Sequence, residues 1–281
     1  MIMEHYVSIA ILGLVQGLAE FLPVSSSGHL RILENYLKTP DGISVLTLEV
    51  LLHSGTLLAV LIWLRADIYD FCFGFFNTCK RCVGRKLDDV AHNQMMIFLF
   101  VFAGSIPTAF IGVGLKKAGV EHLGVKAVAG FLIITGIFNF FVRRGDDEDI
   151  STSIVEGLTF PKVLFIGICQ GLAVLPGISR SGATIAAGKF CGIPVERAAR
   201  FSFLLSVPAV GGATLLTIKD LLSKGGGTSL DGLFVLLIGA AIAFCSGLLA
   251  LNWLFAALDK DKFHLFAYYC WVIAIIVFFV G

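Results

Sequence analysis

Apolar sequence long enough to span a bilayer recurs along this chain, and no other feature restricts its fold as much. Charge-free or nearly charge-free runs occupy residues 6–22, 46–64, 95–115, 127–142, 163–179, 201–218, 232–258 and 265–281. Most can cross a hydrocarbon core of roughly 30 Å as a helix. Backbone polar groups find no water in lipid, so these runs read as helices whose hydrogen bonds close internally. Charged residues make up 15% of the chain; soluble proteins carry about 25%, which excludes an ordinary soluble domain. A net charge of +1 gives no reason to expect nucleic acid as a partner. No basic segment precedes residue 6 and no small-residue cleavage site precedes Glu20. The first apolar segment is therefore expected to stay in the mature protein.

The polar stretch 143–162 (RRGDDEDISTSIVEGLTFPK) acts as a linker between two halves of four apolar segments each, 1–142 and 163–281. Both halves carry related sequence. GLVQGLA at 13–19 corresponds to GICQGLA at 167–173, an offset of 154 that Gly28 and Gly182 restore after a one-residue slip. Duplicated units of this kind are a signature of membrane proteins. A polar break follows each copy: Pro23 through His29 in the first half, Pro176 through Gly182 in the second. Proline removes a helical hydrogen bond, and irregular backbone survives at membrane depth only when protein buries it or it lines a wet cavity. If all four segments of a half crossed, the repeats would run parallel; if the motif segment turns back, three crossings remain and the repeat is inverted. The expected architecture is the second. It is a single integral, all-α polytopic membrane domain, an inverted-topology repeat with two re-entrant helix pairs and about six spanning helices.

Residues 65–93, with Arg65, Lys80, Arg81, Arg85 and Lys86, read as a basic loop on the cytoplasmic side. Cys79 and Cys82 within it lack a second ligand pair and give little support to a zinc site. The seven cysteines read mostly as small buried hydrophobes. Serine–proline steps at 105–107 and 206–208 read as kinks in which serine reclaims a freed carbonyl.

The chemistry gathers at the two breaks. Gln16 and Glu20 are four residues apart and share a helix face with Gly13 and Gly17, a small-xxx-small pair suited to close packing. A carboxylate at this depth needs a partner, solvation or a function. Pro23 through Gly28 can expose successive N–H groups, the arrangement that holds phosphate oxygens, although Ser25, Ser26 and Ser27 also suit an N-cap. Ser179, Arg180, Ser181 and Gly182 offer a second such turn plus a guanidinium, whose fork donates paired charge-assisted bonds to phosphate. Thr184 adds a hydroxyl just beyond. Arg180 in apolar surroundings requires an anion: Glu20, a phosphate, or both. Glu49 and His53 are also four apart, and either face this cavity or sit at the interface. Asp146, Asp147, Glu148 and Asp149 read as a solvated loop run.

On GLAEFLPVSSSGH (17–29) and PGISRSGAT (176–184) the chain resembles the undecaprenyl-diphosphate phosphatase family, membrane enzymes linked to bacitracin resistance. Length, segment pattern and duplication agree over nearly the whole chain. The resemblance implies hydrolysis of the terminal phosphate of a C55 polyprenyl diphosphate, which recycles the lipid carrier of peptidoglycan synthesis. It implies an inverted-repeat fold, a site open to the outer side of the bacterial inner membrane, and a divalent cation, Mg²⁺ or Ca²⁺, with Glu20 as its ligand. Carried over by position, the family's functional residues fall on Glu20, Ser25, Ser26, Ser27, His29, Ser179 and Arg180. One departure stands out: the family commonly has a second glutamate where this chain has Gln16. An amide brings no negative charge to a metal and cannot act as a base.

The working expectation assigns Arg180 and the two amide-rich turns to the diphosphate, with Gln16, Ser25, Ser27, Gly28, Ser179, Ser181, Gly182 and Thr184 around it. Glu20 holds the cation or activates the nucleophile. Ser26 is the preferred nucleophile with His29 as general base or acid, while attack by His29 or by water stays open. The apolar segments form a groove for the prenyl chain. The expected partners are the lipid diphosphate, the bilayer and a second copy in a homodimer. The alternative from another class is a lipid-phosphate transporter or flippase, using the same arginine and serines without chemistry. The acid–hydroxyl–imidazole cluster separates the two, since transport needs no nucleophile. A purely structural scaffold leaves Glu20 and Arg180 unexplained.

Overall fold

A computed structural model describes residues 2–33, 37, 45–120, 123–143, 153–223 and 230–280. The first half contributes α1 (Ile2–Phe21), α2 (Ser26–Leu33), α3 (Val45–Trp63), α4 (Arg65–Cys82), α5 (Asp89–Lys117) and α6 (Val125–Phe141). The second contributes α7 (Phe160–Leu172), α8 (Arg180–Phe190), α9 (Val195–Ser223), α10 (Leu230–Asp259) and α11 (Leu265–Val280). No strand occurs among the described residues. Three of these helices are long and apolar enough to cross a membrane, over Asp89–Lys117, Val195–Leu215 and Phe234–Asp259. Shorter apolar helices cover Val50–Trp63, Val125–Phe141, Phe160–Leu172 and Leu265–Phe279. Their outward faces are apolar as well: Phe102, Phe110, Leu215, Trp253 and Phe279 are all exposed. Bulky apolar residues in such number on the outside suit lipid rather than water. The chain is a polytopic α-helical membrane protein.

The two breaks make hairpins. Leu30 of α2 packs in one cluster with Ile9 and Leu12 of α1, and Ala187 of α8 packs with Val163 and Ile166 of α7. Each short helix thus folds back along the helix before it. With 13 residues, α7 is about 20 Å long and falls short of the roughly 30 Å hydrocarbon core. The hairpins are then gripped by the opposite half: α1 lies along α10, and α7 along α5. A methyl group at Gly13 would collide with the Gly239 carbonyl, and one at Gly167 with the Gly104 carbonyl. Small residues at these equivalent positions let the backbones approach closely. A hydroxyl reinforces each crossing, Ser246 reaching Gly13 O at 3.5 Å and Thr108 donating to Gly167 O at 2.9 Å. Helix α6 also pairs with α11 and α3 with α9, each with its own repeat equivalent, as a pseudo-two-fold arrangement requires, while α4 packed on α5 has no counterpart in the second half.

Three local expectations need correction. Much of the stretch read as a basic loop is α4, exposed at its basic end but carrying Phe71 and Phe75 against Phe98 of α5. Gln94 of α5 ties it further, donating to Asp70 at 2.8 Å and accepting from Asn77 at 2.8 Å. Of the cysteines only Cys270 is buried, and Cys72, Cys79, Cys82 and Cys245 are exposed free thiols. Helices α5 and α9 run through Pro107 and Pro208. Ser105 and Ser206 bond Val101 O and Phe203 O, not the carbonyls four residues before each proline.

Candidate active site

The tips of the two hairpins meet. Gly28 lies close to Gly177, and Gly182 close to Pro23, with no room for a further methyl at Gly177 or Gly182. One helix face holds both tips in place. Thr135 of α6 donates to Gly177 O at 2.8 Å and accepts from Ser179 N at 2.9 Å. One turn on, Asn139 donates to Pro23 O. Beyond the tips, α2 begins at Ser26 and α8 at Arg180, residues related by the same offset of 154 (180 − 26). Ser25 and Ser179 occupy the position before, and each accepts from a glycine N–H three residues on, at 3.3 and 3.1 Å. They are the N-caps that orphan helical donors require. Ser25 also sits at φ +70°, in the left-handed region that costs a side-chain-bearing residue energy.

This registration brings Glu20 of one repeat to Arg180 of the other. Arg180 Nη2 donates to Glu20 Oε1 at 2.6 Å. Ser26 Oγ donates to Glu20 Oε2 at 2.7 Å, and Gln16 Nε2 donates to the same oxygen at 3.1 Å. His53 of α3 completes the group, its Nδ1 lying 2.8 Å from Gln16 Nε2 and 3.4 Å from Glu20 Oε2. The Glu20 side chain is 8% exposed and Arg180 17%, so the charges must be paired. Phe203 lies beneath the guanidinium, 5.8 Å from ring centroid to Cζ, and packs edge-on against Phe21. Arg180 Nη1 is buried without a hydrogen-bond partner, a charged donor that the chain leaves unsatisfied.

Glu20, Ser26, His53 and Arg180 line a cavity of about 280 Å³. The rest of the lining is mainly apolar, with Ala173, Val174, Val210 and Ala213, and includes Thr108, Gln170, Ser206 and Thr214. Val174 is the repeat equivalent of Glu20 (174 − 20 = 154), so the duplication carries the acid once only. Among the described residues no three His, Cys, Asp or Glu side chains cluster to cage a metal. Glu20 is the one described carboxylate lining the cavity, and Gln16 Oε1 near it is buried without a partner. One carboxylate and one neutral oxygen fit a Mg²⁺-like ion that draws the rest of its shell from substrate phosphates and water, the usual arrangement for that ion.

A family model described as Bacitracin resistance protein BacA matches residues 9–276. The chain belongs to that family. Curated relatives in it share close to the full length. An undecaprenyl-diphosphatase of Desulforapulum autotrophicum is 39% identical over 99% of both chains. One of Desulfosudis oleivorans is 40% identical over 96% of this chain and 97% of its own. A third, of Methanobrevibacter smithii, is 38% identical over 95% of each.

Of the site residues expected from sequence, this BacA chain brings Glu20, Ser25, Ser26, Ser27, Ser179 and Arg180 to the cavity wall. Gln16, fully buried, stands behind Glu20. Gly28, Ser181 and Gly182 build the tips; Ser181 Oγ shares a bond with Ser179 Oγ at 3.1 Å. Thr184 turns away, bonded to Arg180 O and to Ser202 of α9. His29 does not line the cavity. Its Nδ1 donates to Ser25 O and its Nε2 meets Tyr269 Oη, each at 2.8 Å. The imidazole beside the acid is His53, whose spacing from Glu49 hinted at a shared face. The side chain of Glu49 and residues 146–149 lie outside the described residues. Thr135 and Asn139 gave one signal only, two polar residues four apart in an otherwise apolar run.

Proposed function

We propose that this BacA family member is an undecaprenyl-diphosphatase, hydrolysing a membrane-bound polyprenyl diphosphate to the monophosphate and inorganic phosphate. The observation that carries the reading is the convergence of Ser26, Glu20 and Arg180 at the meeting point of two broken helices, beside an apolar wall. Such a cavity suits a ligand with an anionic head and a hydrocarbon tail. Ser26 Oγ attacks the terminal phosphorus while its proton passes to Glu20 Oε2, already its hydrogen-bond acceptor. The bond from phosphorus to the bridging oxygen breaks, and the lipid monophosphate leaves. Water then cleaves the phosphoserine, releasing inorganic phosphate and restoring Ser26. Arg180 keeps Nη2 on Glu20 and offers Nη1 to a phosphoryl oxygen, stabilising the charge that spreads over those oxygens in the transition state. Glu20 and the Gln16 carbonyl oxygen would hold a divalent cation with the substrate. Such an ion supplies positive charge to the phosphate oxygens.

The family and its relatives' names support placement in the bacterial cytoplasmic membrane, in recycling the lipid carrier of peptidoglycan and in bacitracin resistance. We place the site toward the outer side of that membrane, and a homodimer as the working assembly. The test is a single turnover with terminally ³²P-labelled substrate and detergent-purified protein. Label on Ser26, and loss of phosphate release of about 10²-fold or more in both Ser26→Ala and Arg180→Ala, are expected. Release that survives Ser26→Ala would overturn the serine route, and lipid binding without any release by the wild type would overturn the enzyme.

A further inference from the structure

We propose that His53 is a phosphate-binding residue of this site, donating from Nε2–H to the terminal phosphoryl group alongside Arg180. The inference rests on the diphosphatase reading and follows from a chain of hydrogen bonds. Arg180 and Ser26 fix the Glu20 carboxylate. Glu20 then fixes the Gln16 amide: its nitrogen faces Oε2 at 3.1 Å, and the opposite orientation would set a carbonyl oxygen against a carboxylate. The same nitrogen lies 2.8 Å from His53 Nδ1. An amide nitrogen only donates, so Nδ1 accepts, and the ring's proton sits on Nε2. Nε2 has no partner among the described residues, while the ring lines the cavity and is 30% exposed. A donor held in this way, on the wall that carries Arg180, is matched to phosphate oxygens.

Gln16 thereby gains a purpose that its sequence position did not suggest. A glutamate there would set an acceptor against Nδ1, and nothing at this position would then hold the ring's proton on Nε2. The amide keeps the imidazole in its phosphate-donating tautomer.

Two substitutions separate a phosphate donor from a mere neighbour of Gln16. In His53→Gln the amide nitrogen takes the place of Nε2; in His53→Asn the amide oxygen takes the place of Nδ1 as acceptor for Gln16, and the phosphate donor is lost. Phosphate release from undecaprenyl diphosphate is measured for both, and binding of the same lipid is titrated in the inactive Ser26→Ala background. The expected result is a fall in kcat/KM of about 10- to 100-fold for His53→Asn with weakened lipid binding, and retention within about threefold for His53→Gln. Equal losses in both variants would show that the Nε2 donor is not what matters, and unchanged His53→Asn would reduce His53 to a support for Gln16; either overturns the inference. A misfolded variant is recognised by gel filtration, and His53→Gln then decides alone: a loss beyond tenfold in folded protein counts against the proposal. Absence of release by the wild type would instead count against the diphosphatase reading itself.

Discussion

Two residues of the first repeat show how much a single side chain decides. Gln16 leaves the site with one described carboxylate, so a bound cation would draw the rest of its shell from substrate oxygens and water. Gln16→Glu adds a second negative ligand, and the Mg²⁺ concentration for half-maximal phosphate release should fall by about tenfold or more. An unchanged titration curve would show that this position does not touch the ion. His29 poses the opposite question. It bonds the carbonyl of Ser25, the residue at φ +70° just before Ser26, and so pins the turn that presents Ser26 to Glu20. Asparagine can place an amide nitrogen where Nδ1 stands. His29→Asn should therefore keep activity within about tenfold of wild type while His29→Ala loses more; losses of 10²–10⁴-fold in both would mark a general acid or base. Glu20, Ser26 and Arg180 were legible because charge and hydroxyls inside apolar sequence demand an explanation. The location of His29 was not, since nothing in its spacing reveals that it faces Tyr269 of a helix 240 residues away.

At the scale of the helix, the proline breaks and paired QGLA segments could be read directly because each states a local rule: a missing donor, a small face, a repeated pattern. The support for the breaks could not. Thr135 and Asn139 sit one turn apart on α6 and bond one hairpin tip each, but a polar residue in an apolar run does not announce its partner. Helix α4 was hidden for a related reason, its basic C-terminal end outweighing the aromatic face that packs on α5. Thr135 offers the sharper test. Removing its hydroxyl leaves Ser179 N and Gly177 O without their shared partner in a buried tip. Thr135→Val should cost about 1–3 kcal/mol of stability and reduce phosphate release, whereas Thr135→Ser should keep both. Thermal unfolding in detergent read beside activity decides it; a Thr135→Val protein as stable and active as wild type would deny the clamp.

For the molecule as a whole, duplication explains why one site arises from two similar halves. Offset 154 superposes Ser26 on Arg180 and Glu20 on Val174, so the repeats present different chemistry at equivalent places. One half supplies the Glu20 carboxylate and the Ser26 hydroxyl, the other the Arg180 guanidinium, and neither charge is balanced alone. The Glu20–Arg180 pair is thus a bond between repeats at the proposed active site, with both side chains largely buried. Breaking one partner of such a pair strands the other charge in a low-dielectric interior, at a cost of about 3–5 kcal/mol. Removing both avoids that penalty. Glu20→Gln and Arg180→Gln should each lower stability in detergent by that order, and the double variant should lose less than their sum by about 1–3 kcal/mol. Strict additivity would mean that the two halves do not depend on this contact, and would shift the burden of their docking to the glycine crossings of α1 on α10 and α7 on α5.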